Sequence, residues 1–393
     1  MKTSHEILLW QDAIPTRDAL WRAENGNPPP KKLVLADDTL TADQAYRLAA
    51  EGCALLWQGD FQNARQLLQA MARRCDRPAK KSRKPEPVVT DPAQLFHLHR
   101  QAQSQRARIL AMLLIPLSGD YSIPLKRAPD VVQACTEVYG PPSGIDSIVS
   151  LRELQSLIGA HEWRKKGVAI PALADTIHPH YGVFSPLRGE YIELVAQAPL
   201  PATALAFDIG TGTGVISAVL ALRGVQNVIA TDMDSRALTC ARENMQRMGY
   251  SAQVHIVQAD LFPEGKAGLI VCNPPWVPAR PSSPIEHAIF DPDSRMLRGF
   301  LTGLAAHLEK NGEGWLLLSD LAEHLGLRSR AALLEWINQA GLQVLGMINI
   351  KPNHPKISDD TDPLHQARAM ETTTLWRLTA TNQESVCINH PEF

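Results

Sequence analysis

The sequence predicts an α/β protein in two parts, a C-terminal sheet built from alternating strands and helices and a mainly helical N-terminal domain. Three observations predict it. From about residue 204, short apolar runs alternate with amphipathic stretches at βα spacing. The first of those runs, Ala204 to Phe207, passes directly into Asp208-Ile209-Gly210-Thr211-Gly212-Thr213-Gly214. A strand that turns through glycines into a helix presents backbone N–H groups to a ligand with no side chain in the way. Before residue 170, apolar residues recur instead at helical spacing.

A chain of 393 residues accommodates two domains, and we place them at 1–168 and 169–380, followed by a tail at 381–393. With 45% hydrophobic and 20% charged residues, the composition is that of an ordinary globular protein. The six cysteines are scattered, with no C-x-x-C pair, which points to reduced thiols and no metal site. No signal-peptide h-region opens the sequence, and the longest apolar run, Ile109 to Leu117, is too short to span a bilayer. The expectation is a cytoplasmic protein without membrane contact. Residues 1–170 hold 23 Lys+Arg against 18 Asp+Glu, leaving 16 against 23 for the remainder. The N-terminal half is therefore the part suited to an anionic partner.

In chain order, Glu6 to Arg22 reads as a helix closed by Asn25-Gly26-Asn27 and a proline triplet. A second helix runs from about Ala42 to Trp57, with Ala45, Leu48, Ala49, Cys53 and Leu56 on one face. Phe61, Ala64, Leu67, Leu68, Met71 and Cys75 define a third. Seven basic residues between Arg73 and Lys84 then read as a solvated linker, or as a phosphate-contacting segment. Helices resume from about Ala93 to Leu114, around Val131 to Val138, and from Leu151 to Lys166. His97 and His99 point to different helix faces and form no site. This N-terminal half reads as a substrate-recognition region without chemistry of its own.

Residues 170–186 join the two parts, and Phe184 to Tyr191 lead into a helix ending near Gln197. The alternation that follows predicts strands at 204–209, 227–232, 253–259 and 268–272, with helices at 215–223 and 235–248. Asp234 or Ser235 caps the second of these helices and Gly249 stops it. Asp291-Pro292 opens a further helix, followed by a strand at 314–319 and a helix at 329–339. Two last strands, about 342–350 and 372–379, are joined by a loop without a crossover helix and must be antiparallel.

The glycines Gly210, Gly212 and Gly214 follow G-x-G-x-G, not the G-x-G-x-x-G of dinucleotide enzymes. Asp232 stands at the end of the next strand, where an acid hydrogen-bonds the ribose of a nucleoside cofactor. The strand Leu269-Ile270-Val271-Cys272 then runs into Asn273-Pro274-Pro275-Trp276. An Asn before two prolines and an aromatic residue, at a buried strand end, has no packing rationale.

On these residues the region from roughly Tyr181 to Ala380 resembles class I S-adenosylmethionine-dependent methyltransferases with the [D/N]-P-P-[Y/F/W] motif. It is most similar to the HemK-like release-factor glutamine methyltransferases. The stretches 208–214, Gln258-Ala259-Asp260-Leu261-Phe262 and 273–276 carry the likeness. The resemblance implies a seven-stranded Rossmann-like sheet ending in an antiparallel pair, S-adenosylmethionine as cofactor, and methylation of a planar nitrogen. It places the donor's amino-acid part on Gly210, Thr211, Gly212 and Gly214, with Asp208 near its ammonium group. It places the ribose on Asp232 and the adenine on Asp260. Asn273 and Pro274 would orient the acceptor nitrogen, Pro275 would stiffen the loop, and Trp276 would face the substrate. The acceptor would be a protein glutamine amide, as on a translation release factor; the alternative is an adenine or guanine amino group in RNA or DNA. Two departures stand out. Trp276 replaces the Tyr usual in the glutamine enzymes, and the N-terminal region is longer than theirs. A nicotinamide oxidoreductase using the glycine turn is opposed by Asn273 to Trp276 and by the glycine spacing, and a catalytically dead binding module by the intact motif positions.

Overall fold

Among the described residues the N-terminal half is not a helical domain but an α/β unit built on a six-stranded sheet. The computed structural model describes residues 6–11, 16–77, 90–186, 189–281, 286, 288–352, 359 and 361–381. It divides into two units, the first drawn mainly from residues 1–166 and the second mainly from 167–393. In the first, β1 (Ile7–Gln11) and β2 (Thr16–Arg22) form an antiparallel pair. They are followed by β3 (Lys32–Ala36), α1 (Ala42–Ala50), β4 (Cys53–Trp57), α2 (Phe61–Cys75), α3 (Pro92–Leu110), β5 (Leu113–Leu117), α4 (Val132–Tyr139), β6 (Ser147–Ser150) and α5 (Leu151–Lys166). The sheet order is β1-β2-β6-β5-β4-β3.

The departures from the helical expectation have physical causes. A helix over residues 6–22 would have to hold Pro15 in its interior, and the chain forms two paired strands instead. The helix expected over 42–57 stops at Gly52, whose φ is +81°. Every residue of β4 is buried, so Cys53-Ala54-Leu55-Leu56-Trp57 is a continuous apolar run. Such a run cannot be told from a buried helix segment by periodicity. The helix expected over 93–114 divides in the same way into α3 and β5.

The second unit opens with the hairpin of β7 (Val168–Ile170) and β8 (Asp175–Ile177), then α6 (Glu190–Gln197). Its main sheet comprises β9 (Leu205–Ile209), β10 (Asn227–Asp232), β11 (Val254–Gln258), β12 (Ala267–Cys272), β13 (Leu308–Ser319), β14 (Leu342–Ile350) and β15 (Thr373–Ala380). Between them run α7 (Val215–Leu222), α8 (Ser235–Met248), α9 (Arg295–His307), α10 (Leu321–His324), α11 (Arg330–Gln339) and the short α12 (His365–Met370). The order is β11-β10-β9-β12-β13-β15-β14, parallel except for the antiparallel pairings of β15 with β13 and β14.

Two cores follow from the strand period of two. Ala206, Leu269, Val271, Trp315 and Leu317 face one side, against Leu194, Val219 and Met245 of α6, α7 and α8. Phe207, Ile209, Ile270, Cys272, Leu316 and Leu318 face the other, against Phe300 and Leu304 of α9 and Leu333 of α11. The result is a sheet with helices on both faces.

Candidate active site

Strand order places the site. From β9 the chain moves outward to β10 on one side, and β12 later fills the position on the other side. That reversal leaves a crevice beyond the carboxyl ends of β9 and β12. Ile209 pairs with Cys272, so the glycine turn and Asn273 leave the sheet at the same level, one strand apart.

The turn is held by its own side chains. All three glycines take left-handed φ values, +73° at Gly210, +56° at Gly212 and +82° at Gly214, which explains glycine at alternate positions. The Thr231 carbonyl accepts the N–H groups of Gly210 at 2.9 Å and Thr211 at 2.8 Å, pinning the turn to the end of β10. A side chain at 210 would collide with the Met296 methyl, and one at 214 would press on Met245 and Ala241 of α8. One at 212 would meet nothing within 4 Å.

Asp208 is fully buried beneath this turn. Its Oδ2 accepts the hydroxyls of Thr211 at 2.7 Å and Ser217 at 2.6 Å, and the Ser217 N–H at 3.1 Å. Its Oδ1 has no hydrogen-bond partner among the described residues. Burial raises the carboxyl to about 6, against the opposing pull of the Ser217 and Thr211 hydrogen bonds. Ser217 was not singled out from the sequence, because its link to Asp208 is made by the turn and follows no helical or strand spacing.

Asp232 is half-buried at the end of β10. Its Oδ2 accepts the Gly212 N–H at 3.0 Å and its Oδ1 the Asp234 N–H at 2.9 Å. Burial raises its carboxyl above the ordinary value. Asp260 lies beyond β11, exposed, and is paired with Arg295 at 2.6 Å at the start of α9.

On the β12 side, Pro274 is buried, and Asn273, Pro275 and Trp276 are half-buried. The Trp276 indole Nε1 donates to Asn273 Oδ1 at 2.9 Å. The loop closes on itself where the Asp291 N–H donates to the Val277 carbonyl at 2.9 Å. The helix expected to open at Pro292 begins later. A 3-10 turn, Pro292–Ser294, intervenes, and the Asp291 carboxylate accepts from Met296 N at 3.0 Å and Leu297 N at 3.1 Å.

Other expectations fall elsewhere. Residues 187 and 188, ahead of α6, lie outside the described residues, as do residues 282–285 and 287 of the stretch that follows Trp276. Of the basic run, Arg73 and Arg74 sit in the last turn of α2, where Arg74 pairs with Asp43; residues 78–84 lie outside the described set. Among the described residues no helix is long and apolar enough to cross a membrane.

A buried, unpaired carboxylate oxygen and an open left-handed glycine beside Asp232 suit a cationic, hydroxyl-bearing nucleoside donor. Residues 176–321 match the model of the methyltransferase small domain family. Over 173 residues the chain is 31% identical to a release factor glutamine methyltransferase of Cereibacter sphaeroides, covering 40% of this chain and 60% of that protein. Over 92 residues it is 33% identical to a tRNA1(Val) (adenine(37)-N6)-methyltransferase of Photobacterium profundum, covering 21% and 38%. Over 69 residues it is 39% identical to a ribosomal protein L11 methyltransferase of Pelotomaculum thermopropionicum, covering 17% and 22%. The chain thus spans at most 60% of the length of these three relatives. Residues 176–321 are thus similar to the methyltransferase small domain family over part of the chain. The matches support an S-adenosylmethionine-dependent methyltransferase enzyme, with S-adenosylmethionine as cofactor.

Proposed function

We propose that the chain transfers a methyl group from S-adenosylmethionine to a planar nitrogen, and that this nitrogen is a protein glutamine amide on a release-factor-like substrate. The observation that carries the reading is Asn273 at the end of β12, one strand from the glycine turn and followed by Pro274 and Pro275. Donor and acceptor nitrogen are then brought together at the switch point, and such positioning is worth roughly 7–11 kcal/mol.

The bound donor supplies an electrophilic methyl group; the protein's task is to orient the nucleophile. An amide nitrogen has a delocalised lone pair. Asn273 Oδ1 has two acceptor positions, of which the Trp276 N–H occupies one. The other accepts an N–H of the acceptor, as does the Pro274 carbonyl, and the lone pair is directed toward the methyl carbon. Two prolines hold those acceptors still. Gly210, Thr211, Gly212 and Gly214 hold the donor's amino-acid part, with Asp208 beneath it; Asp232 takes the ribose and Asp260 the adenine. The N-terminal unit, richer in basic residues, serves substrate recognition.

The second reading is methylation of a base amino group in RNA or DNA, favoured by the similarity to an enzyme named for tRNA adenine-N6 methylation. A radiolabelled methyl donor decides between them, supplied with protein and RNA pools from cells lacking this protein and with Asn273→Ala as control. Label in a protein that the variant cannot produce supports the amide reading. Label confined to RNA overturns it in favour of the base, and label in neither pool overturns both macromolecular readings except DNA.

A further inference from the structure

Arg328 is 6% exposed, and both its Nε and Nη2 are buried without a hydrogen-bond partner among the described residues. These two nitrogens form one edge of the guanidinium, a pair of parallel N–H donors matched to two oxygens of a carboxylate or phosphate. An unpaired guanidinium in the interior costs several kcal/mol, so a partner for this edge is the physical expectation. The neighbouring acids do not provide one. Asp291, Glu323 and Arg330 are the charged groups whose fields act on Arg328. The Asp291 carboxylate is engaged by the N–H groups of Met296 and Leu297. Both oxygens of Glu323 accept from Arg330 Nε, at 2.8 and 3.0 Å.

Arg328 lies between α10 and α11, in the connection that follows β13, the strand beside β12, with Cys272 paired to Leu316. That segment and the Asn273 loop therefore leave the same edge of the sheet. Asp291, the electrostatic neighbour of Arg328, closes the loop that Asn273 opens. The connection that holds Arg328 therefore leaves the sheet on the β13 side of β12, opposite the β9 side from which the glycine turn leaves.

We propose that Arg328 receives a carboxylate of the acceptor polypeptide, an acidic side chain or chain end close to the amide that is methylated; the proposal rests on the protein-amide reading above. A carboxylate is favoured over a nucleic-acid phosphate by charge. Residues 171–393 already carry 23 Asp+Glu against 16 Lys+Arg, and two acids flank Arg328 itself. One carboxylate adds a single charge to that field, whereas a nucleic acid adds one with every nucleotide. Arg328 is then a specificity-determining residue that fixes which glutamine enters the site.

The test uses the full chain and a synthetic peptide spanning the methylated site found in the labelled protein pool. Arg328→Gln is expected to raise KM for that peptide at least tenfold, with kcat within about threefold. Arg328→Lys, which keeps the charge and loses the parallel donors, is expected to recover only part of the loss. If Arg328→Gln does not fold, the lysine variant alone carries the test, and wild-type KM in it overturns the proposal. Alanine in place of one particular acid of the peptide should cost the wild type the same tenfold and cost Arg328→Gln nothing further. Independent, multiplying losses would sink the carboxylate contact. Donor affinity by calorimetry should stay within twofold; a large fall would move Arg328 to the donor side and overturn the proposal. Label in protein without coupling removes this inference and leaves the amide reading intact, whereas label confined to RNA removes both.

Discussion

Trp276 donates its indole N–H to Asn273 Oδ1 at 2.9 Å, so one side chain of the motif holds the other in place. The donor can only be an N–H and the acceptor only an oxygen, which orients the carboxamide unambiguously. Trp276→Phe keeps an aromatic face and deletes this bond. A net hydrogen bond is worth about 0.5–1.5 kcal/mol, so kcat is expected to fall about tenfold with donor affinity unchanged. Steady-state kinetics beside calorimetry check it. Asn273→Ala removes the orienting group itself and should cost on the order of a hundredfold or more.

The glycines of the turn separate folding from binding. Gly212→Ala places a methyl in open space and carries only the strain of its +56° φ, about 1 kcal/mol. Its melting temperature should fall little while donor affinity falls more than tenfold. Gly210→Ala carries similar strain and also displaces the Met296 methyl. Met296→Ala in the same chain should restore part of the lost stability. Melting curves and donor titrations of the three variants decide, and equal donor affinity in wild type and Gly212→Ala would remove the donor from the turn.

What could be read from the sequence was whatever repeats locally. Asn227–Asp232 and Ser235–Met248 stand where the alternation placed them, because apolar periods of two and 3.6 are set by neighbours in the chain. Glycine at alternate positions announced the turn because three left-handed φ values exclude most other residues. β4 and β5 were hidden for the opposite reason, since a strand buried on both faces has no polar alternation to display. Within the site, the bonds of Ser217 to Asp208 and of Arg295 to Asp260 join residues whose separation in sequence carries no period. Only the folded sheet brings them together.

Asp260 tests the adenine placement cleanly. Its pair with Arg295 is exposed on both sides, and pairs of that kind contribute about 0–1 kcal/mol. Asp260→Ala should therefore leave the melting temperature nearly unchanged while weakening donor binding several-fold. Unchanged affinity by calorimetry would remove Asp260 from the donor site and leave it as a surface partner of Arg295.

Asp208 links the turn to pH. Burial raises its carboxyl from 3.8 to about 6 in the folded chain, so the folded state binds this proton more tightly than the unfolded state does. The resulting stabilisation is fully present below about pH 4, is lost as pH rises through about 6, and is on the order of 3 kcal/mol. Asp208→Asn does not titrate, so the stability of the wild type relative to this variant should decline from pH 4 to 6.5 and stay level above. The donor is cationic and favours the ionised carboxylate, which reverses the sense for binding. Donor affinity of the wild type should rise with pH through about 6, and that of Asp208→Asn should rise less. Asp232 is also raised by burial and titrates in the same sense, so the difference between the two proteins carries the test rather than the wild-type profile alone. Parallel profiles from pH 5 to 7.5 by calorimetry would show that Asp208 does not sense the donor's charge, and would confine it to holding Thr211 and Ser217.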